Sequence, residues 1–297
     1  MPSEVIVPAR MTNETMYSFL GQIFDIDGSI RDTEYIFNFE RLGFIDPIGI
    51  TTIANATKLL NEEQVSVYYK NFQQDTSNGV SYLRDVGFFS HFLSQDTGVP
   101  QHTKPTAFPL KFISMDAVWV VYDHHFTPWV DRCLGIDSKR QLSAIGTSIH
   151  EAFNNIKDHS TRNIACFYAQ YFPKRRNIIF AISDFGVGIA HNVRKKEHCE
   201  SDSHAIQLAV QNGFSTQSTP RNRGSGLDNI IKSIALNQRG HVIIYSGRGK
   251  FEAIEQNIRV LNISPSQAPY PGTMIALALY IDRLNLDEVE VDEVFSW

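Results

Sequence analysis

Three separated stretches in the second half of the chain carry side chains that could bind a nucleotide and a metal ion. The first is a polar stripe at four-residue spacing, formed by Glu151, Asn155 and His159. Residues four apart lie along one face of a helix. A magnesium ion prefers oxygen ligands and keeps several waters, so the amide oxygen of Asn155 could hold it beside phosphates. Glu151, one turn earlier, could be the general base for attack on a γ-phosphate.

Two other interpretations of this stripe have to be weighed. Polar residues at this spacing are also typical of the solvent-facing side of an amphipathic helix. The pair His150-Glu151 begins the zinc-protease motif H-E-x-x-H, but Asn154 occupies the position of the second histidine. The zinc-protease interpretation therefore fails, whereas the solvent-facing interpretation stays open for this helix taken alone.

The second stretch follows an apolar run that predicts a strand over residues 178–182. Asp184 comes shortly after this run, with Gly186 and Gly188 at the next alternate positions. A carboxylate fixed at a strand end can accept the exocyclic amino proton of adenine, and the glycines let the backbone turn tightly beside the base. Taken alone, this pattern is as typical of a plain turn between a strand and a loop as it is of an adenine site.

The third stretch is rich in glycine and precedes a helix predicted over residues 227–236. Its residues are Arg223, Gly224, Ser225, Gly226 and Leu227. The free N–H groups and the dipole at a helix N-terminus favour phosphate oxygens. Upstream, Ser215 and Thr216 could also bind phosphate, and Arg221 or Arg223 could neutralise γ-phosphate charge. A solvated loop explains the arginines equally well.

In this order and at these spacings, the stretches resemble the GHKL ATPase superfamily. This superfamily includes gyrase B, MutL, bacterial histidine kinases and anti-sigma-factor serine kinases. The run from Glu151 to Ser160 resembles its N box, and the stretches beginning at Asp184 and Gly224 resemble its two glycine boxes. Residues 240–246 and 271–273 resemble its closing strands, where the family places a threonine near adenine.

The resemblance implies a fold and a set of ligands for residues 106–297. The fold would be an α/β sandwich, a mixed sheet with helices on one face, and residues 191–223 would form a mobile lid over ATP. The catalytic residue would be Glu151, and Asn155 would bind Mg²⁺. The residues assigned to ATP are Asn155, Asp184, Gly186, Gly188, Ser215, Thr216, Arg223, Gly224, Ser225, Gly226, Leu227 and Thr273.

Two functions follow from the resemblance, which is greatest to the anti-sigma-factor serine kinase branch. The first is a regulatory enzyme that hydrolyses ATP or transfers its γ-phosphate to a protein serine or threonine. The alternative is a nucleotide-gated protein-interaction module with little or no catalysis. The partners expected in either case are ATP and a protein, with a second copy of the chain as one option.

The first half of the chain has an α/β pattern that would form a smaller domain over residues 1–105. The apolar patterns predict strands and helices in alternation, at 35–40, 48–60, 65–69 and 80–92. Asp46 is a good N-cap, and Pro47 is favourable at the first helical position. The segment around Asp46 resembles the loop of STAS domains, but Pro47 and Ile48 stand where a phosphorylatable hydroxyl is expected.

The remaining patterns predict the elements that must position the three stretches. A polar, proline-containing segment at 94–109 predicts a linker between the two domains. Beyond it we expect strands at 117–122, 164–171, 178–182, 241–246 and 273–280, and helices at 137–159 and 227–236.

Composition excludes several classes of protein. The 297-residue chain has 42% hydrophobic residues and a net charge of -5, which suits packed cores and disfavours a surface built for nucleic acid. No apolar run approaches the roughly 20 residues that cross a bilayer. Three widely spaced cysteines and an N-terminus without a signal-peptide pattern predict a cytoplasmic protein.

Overall fold

A computed structural model describes residues 1–73, 77–93, 104–114, 117–135, 146–153, 164–211 and 226–283. These residues form an α/β structure with one parallel sheet of three strands and one antiparallel sheet of seven. The combination of helices and sheets agrees with the α/β class expected from the sequence. No helix in these ranges has the length and the hydropathy needed to cross a membrane.

The first 93 residues contain the parallel sheet and four helices. The sheet has the order β1-β3-β5, with β1 at Ser3–Ile6, β3 at Glu34–Asn38 and β5 at Ser66–Lys70. Two short strands pair beside it, β2 at Arg10–Met11 and β4 at Phe44–Ile45. The helices are α1 at Met16–Leu20, α2 at Pro47–Glu62, α3 at Asn78–Asp85 and α4 at Phe88–Phe92.

Helix α2 begins where the sequence predicts. The Asp46 carboxylate accepts a hydrogen bond from the Gly49 N–H at 2.8 Å, and Pro47 occupies the first turn. The expected helix at 80–92 is instead two helices, because Gly87 adopts a left-handed conformation with φ of 81° between α3 and α4. The predicted strands of this half agree with β3 and β5 to within two residues.

The second half is built on the seven-stranded sheet, whose order is β11-β10-β9-β12-β8-β7-β6. Its strands are β6 at Ala107–Ser114, β7 at Ile164–Phe172, β8 at Asn177–Asp184, β9 at His241–Gly247, β10 at Gly249–Ile254, β11 at Asn257–Asn262 and β12 at Tyr270–Tyr280. Every pairing in this sheet is antiparallel. The expected mixed sheet is therefore wrong for the described strands. The short connections in β7–β8 and β9–β10–β11 suit hairpins, whereas parallel strands need long crossovers.

The described helices of the second half lie on one face of this sheet, as expected, and helices of the N-terminal half cover the other face. One core joins the sheet to residues on the C-terminal helices, and we call this side of the sheet the helical face. The other core joins the opposite face to α2 and to the parallel sheet. Successive side chains in a strand point to opposite faces, which lets one sheet serve two cores. The division at residue 105 stays a prediction, although β6 begins just beyond it.

Several elements of the second half differ from the sequence prediction. The apolar run at 117–122 is helical, in α5 at Val118–Val121, and continues through a π-helical turn at Tyr122–Phe126 into α6 at Thr127–Leu134. A short apolar run does not distinguish a strand from a buried helix, which explains the error. Of the helix expected at 137–159, the described residues 146–153 are helical, and we call them α7.

The segment expected to be a lid is partly folded against the sheet. It contains most of α8 at Gly188–Val193 and all of α9 at Asp202–Ala209, where Ala205 and Ile206 are fully buried. A lid over 191–223 is therefore wrong for residues 191–209, because their apolar side chains belong to the core of the helical face. Residues 212–225 lie outside the described ranges. Helix α10 follows at Gly226–Ile230 and continues as a π-helical segment at Ile231–Asn237.

The cap of α2 gives the chain a testable pH dependence. Burial raises the pKa of the Asp46 carboxyl to about 6, although hydrogen bonds from Gly49 and Ile48 and the charge of Arg10 act in the opposite direction. The raised value means that the folded chain holds a proton that the unfolded chain releases at about pH 4. Asp46 should therefore destabilise the fold progressively as the pH rises from about 4 to about 6.

Replacing Asp46 by asparagine keeps a capping side chain and removes the ionisation. We expect the stability of Asp46→Asn relative to the parent chain to increase between about pH 4 and about pH 6.5, measured by urea unfolding. Asp27→Asn is the control with opposite sign, because hydrogen bonds from Ser29 lower the pKa of Asp27. A stability difference for Asp46→Asn that does not change with pH would contradict the assignment.

Candidate functional site

A row of three polar residues crosses the centre of the large sheet. Asp184 on β8 pairs with Thr273 on β12, and Thr273 pairs with Ser246 on β9. The three residues are 2%, 1% and 1% exposed, respectively. Buried polar groups are uncommon in a sheet core unless they are hydrogen-bonded or functional. We call these three residues the polar row.

The polar row faces the helical side of the sheet. Ile182, Ile275 and Ile244 belong to the core of that face, and each lies two residues from a member of the row. Strand residues two apart point to the same face of a sheet. The polar row therefore lies on the helical face, beside the apolar residues of β8, β12 and β9. The side chains of Asp184, Thr273 and Ser246 are thus directed towards the helices.

Hydrogen bonds tie the row to the turns around it. The Thr273 N–H donates to Asp184 Oδ1 at 3.1 Å. Ser246 Oγ accepts from the Ile189 N–H at 2.8 Å and donates to the Gly272 carbonyl at 2.9 Å. The Thr273 hydroxyl has no hydrogen-bond partner among the described residues. A buried hydroxyl without a partner costs free energy, so Thr273 is the member of the row that a ligand would satisfy best.

Two glycines allow the backbone to close around the row. Gly188 and Gly272 have φ of 77° and 78°, in the left-handed region that glycine adopts most easily. A Cβ on Gly272 would lie 2.5 Å from both the Asp184 carbonyl and the Gly186 nitrogen. A Cβ on Gly188 would lie 2.7 Å from Ser246 Oγ. Gly188 after β8 and Gly272 before Thr273 are therefore required by a close approach of chain segments, beyond any role in a plain turn.

The opposite face of the same strands contacts the N-terminal half. Ser183, next to Asp184, lies within 2.5 Å of the Tyr270 hydroxyl and donates to the Thr273 carbonyl at 2.9 Å. The Phe185 ring packs edge-on against Phe24 and Tyr270, at centroid distances of 6.2 and 5.4 Å. Burial raises the pKa of Tyr270 far above its ordinary value, which keeps its hydroxyl protonated. The first half of the chain thus contacts the turn that follows Asp184.

Helix α7 carries Glu151 on the same side of the sheet as the polar row. Its Ile149, Ala152 and Phe153 are buried in the core of the helical face, whereas Glu151 is only partly buried. The adjacent His150 stacks on Trp119 with ring centroids 4.1 Å apart, and burial lowers its pKa. Glu151 therefore lies at the edge of the core, in the position expected of a polar residue on an amphipathic helix.

The structure describes some of the other residues that the sequence suggests for binding ATP and Mg²⁺. Gly226 and Leu227 begin α10, and Leu227 is buried in the core of the helical face. Asn155, His159, Ser215, Thr216, Arg221, Arg223, Gly224 and Ser225 lie outside the described residues. Within the described ranges, no three histidine, cysteine, aspartate or glutamate side chains cluster as metal ligands. The magnesium site at Asn155 stays a prediction.

Two residues of this site, Ser246 and Gly272, are not among the candidates that the motifs indicate. Ser246 follows an apolar run one residue before the end of β9, much as Asp184 follows an apolar run at the end of β8, and this similarity was the signal in the sequence. Gly272 was noted only as part of the segment before Thr273. Its importance comes from its distance to Asp184 and Gly186, which are remote in sequence.

No protein-family model matches the chain, and no curated protein matches it significantly. The resemblance to the GHKL superfamily therefore depends on the sequence motifs alone.

A matched pair of variants can separate the stability cost of the close approach at Gly272 from the cost of backbone strain. Gly135 also has a positive φ, of 67°, but a Cβ there would meet nothing within 4 Å. Gly135→Ala should cost about 1 kcal/mol through strain alone. Gly272→Ala should cost about 2 kcal/mol more, because its Cβ overlaps the Asp184 turn. Urea unfolding measures both, and equal costs would show that the close approach is not limiting.

Proposed function

We propose that this chain is a GHKL-type protein that binds ATP and Mg²⁺ and hydrolyses ATP or transfers its γ-phosphate to a protein serine or threonine, in a regulatory role. The observation that carries the proposal is the buried polar row, Asp184–Thr273–Ser246, in the otherwise apolar helical face of the sheet. Two of its members are the residues that the motifs assign to adenine recognition. Asp184 and Thr273 pair directly across β8 and β12, which supports a shared role in binding one ligand.

The donors and acceptors of the row suit a purine. An ionised carboxylate can accept several hydrogen bonds, so Asp184 can keep the bond from the Thr273 N–H and also accept one from an exocyclic amino group. The Thr273 hydroxyl would gain the partner that it lacks within the described chain. Apolar neighbours such as Ile189 would pack against the ring. This combination of an apolar wall with few polar groups is typical of small-molecule sites.

Ligand access to the row requires a local change of conformation. Asp184 and Thr273 are almost completely buried, so their polar atoms do not face solvent in this structure. ATP would have to bind with opening of the chain on the helical face. We therefore expect association of ATP to be slower than at a pre-formed site, because binding requires this conformational change.

Glu151 and Asn155 would supply the remaining chemistry. Asn155 would hold Mg²⁺, which when bound neutralises charge on the phosphates. Glu151 lies on α7, four residues before Asn155 in the sequence, and α7 packs on the same face of the sheet as the polar row. Its carboxylate would orient or deprotonate the attacking water or hydroxyl. The three free cysteines support a reducing compartment, and we propose the cytoplasm.

The alternative function, a nucleotide-gated interaction module, is favoured by one contact. Phe185 in the turn after Asp184 packs against Phe24 and Tyr270 on the opposite side of the sheet. A nucleotide that moves this turn would also move surface residues of the N-terminal half, to which a protein partner could bind. This function needs the polar row but does not need Glu151.

The first test concerns ATP binding. The parent chain should release or absorb heat on titration with Mg-ATP, and Asp184→Asn should not, because an amide presents a donor where adenine needs an acceptor. Thr273→Val should weaken binding about tenfold through loss of one hydrogen bond. Circular dichroism should show an unchanged fold for both variants.

Thr51→Val is the matched control for Thr273→Val. The Thr51 hydroxyl is also buried without a partner among the described residues, but it lies on α2 away from the polar row. Both substitutions should leave the free energy of unfolding unchanged or higher, because each removes an unsatisfied buried group. Only Thr273→Val should weaken ATP binding. Absence of heat with the folded parent chain would end the proposal.

The second test separates the enzyme from the interaction module. If the chain is an enzyme, Glu151→Ala should retain ATP binding while turnover falls roughly 10²- to 10⁴-fold, because the general base is removed. The control is Glu34→Ala, an exposed carboxylate on the parallel sheet, which should leave turnover unchanged. The measurement follows γ-labelled phosphate released or transferred to protein. Equal turnover in Glu151→Ala would remove the catalytic role of this residue.

A further inference from the structure

A pocket lies between strand β6 and helix α6, away from the polar row. Its volume is about 370 Å³, within the range of roughly 300–1,000 Å³ typical of small-molecule sites. The residues that line it are Pro105, Ala107, Phe108, Pro109, Lys111, His125, Trp129, Arg132 and Cys133. None of them belongs to the motifs that suggest nucleotide binding.

The pocket has a rigid aromatic wall. Phe108 and Trp129 pack edge-on at a centroid distance of 5.8 Å, and both are buried. The Trp129 indole N–H donates to the Pro105 carbonyl at 3.0 Å, which fixes the ring plane. Phe108 and Trp129 are 1% and 4% exposed, so this aromatic wall forms the floor of the pocket and a ligand would contact only a ring edge of each. Because the wall is already fixed, little side-chain entropy is lost on binding a flat apolar ligand.

The charged side chains that line the pocket are cations. Lys111, His125 and Arg132 all line it, and no acidic side chain does so among the described residues. Neither Lys111 nor Arg132 forms an ion pair within the described part of the chain. Positive groups beside an apolar wall favour an anion, and arginine binds carboxylates with two parallel hydrogen bonds.

Two backbone irregularities occur at this pocket. The pairing of β6 with β7 shifts register between Phe108 and Lys111, which are three residues apart on β6 but pair with residues only two apart on β7. The π-helical turn at Tyr122–Phe126 interrupts the helix that carries Trp129 and contains His125. Bulges and π-turns are less regular than the elements they interrupt and are frequent at functional sites.

The pocket is separate from the polar row. Phe108 pairs through Ala169 with Phe180 on β8, four residues before Asp184. Four residues correspond to about 13 Å along a strand, and two strand spacings to about 10 Å across the sheet. A ligand in this pocket would not overlap one at Asp184.

We propose that this pocket binds a small organic carboxylate with a flat apolar body of one or two rings. The body packs against Phe108 and Trp129, and the carboxylate pairs with Arg132 and Lys111. This binding site is independent of the proposed ATP site and of the outcome of its tests.

Cys133 gives a specific reporter of occupancy. It lines the pocket and is partly exposed, whereas Cys166 and Cys199 are buried. Burial raises the pKa of the Cys133 thiol to about 11, so alkylation is slow and can be followed by peptide mass spectrometry. A molecule seated against the aromatic wall should shield this thiol from iodoacetamide.

The experiment compares 2-naphthoate with its neutral counterpart, 2-naphthalenemethanol, as protecting ligands. Naphthoate should slow alkylation of Cys133 in a saturable manner, and the alcohol should bind at least about tenfold more weakly, because it cannot form the charge-assisted pair. Arg132→Gln and Lys111→Gln should each weaken protection by naphthoate about tenfold. Both positions are partly or fully exposed, so the variants should fold.

Lys174→Gln is the control, since Lys174 is an exposed cation that does not line the pocket. In this variant, naphthoate should protect Cys133 from alkylation as well as it does in the parent chain. Equal protection by naphthoate and the alcohol, or no protection at concentrations up to millimolar, would overturn the proposal. Unchanged protection in both Arg132→Gln and Lys111→Gln would overturn it as well.

Discussion

The antiparallel register of β8, β12 and β9 is the constraint on which the candidate site depends. In this register Asp184, Thr273 and Ser246 stand side by side and face the helices. A slip of one residue in a strand turns every side chain to the other face, which would replace Asp184 by Ser183 on the helical side. Gly272 helps to maintain the register, because its backbone lies against the Asp184 turn at a distance that excludes a side chain.

The large sheet separates two hydrophobic cores that share its strands. Alternate residues of β8 and β12 belong to the core of the helical face and to the core that contains α2. The N-terminal half is therefore packed against the back of the polar row, with Phe24 and Tyr270 around Phe185. Close-packed interiors transmit small displacements. A displacement of the backbone at Asp184 would therefore also displace Phe185 and the residues of the first half that pack against it.

The two candidate sites differ in the chemistry that their residues favour. The polar row has a carboxylate and hydroxyls at the ends of central strands, which suit a ligand that donates hydrogen bonds. The pocket at β6 has Lys111 and Arg132 beside an aromatic wall, which suits an anion. Both sites occur where regular structure is interrupted, by glycine turns in one case and by a register shift in the other. Their separation across the sheet allows each to be tested without the other.

The sequence by itself determined the local elements, because these depend on side-chain period and caps. The cap at Asp46, the strands around residues 164–184 and the position of Asp184 at a strand end could all be predicted. The tertiary structure alone decided the antiparallel pairing, the second core against α2, and the row that joins Asp184 to Ser246. These features are contacts between residues far apart in the chain, and local periodicity carries no information about which strands become neighbours.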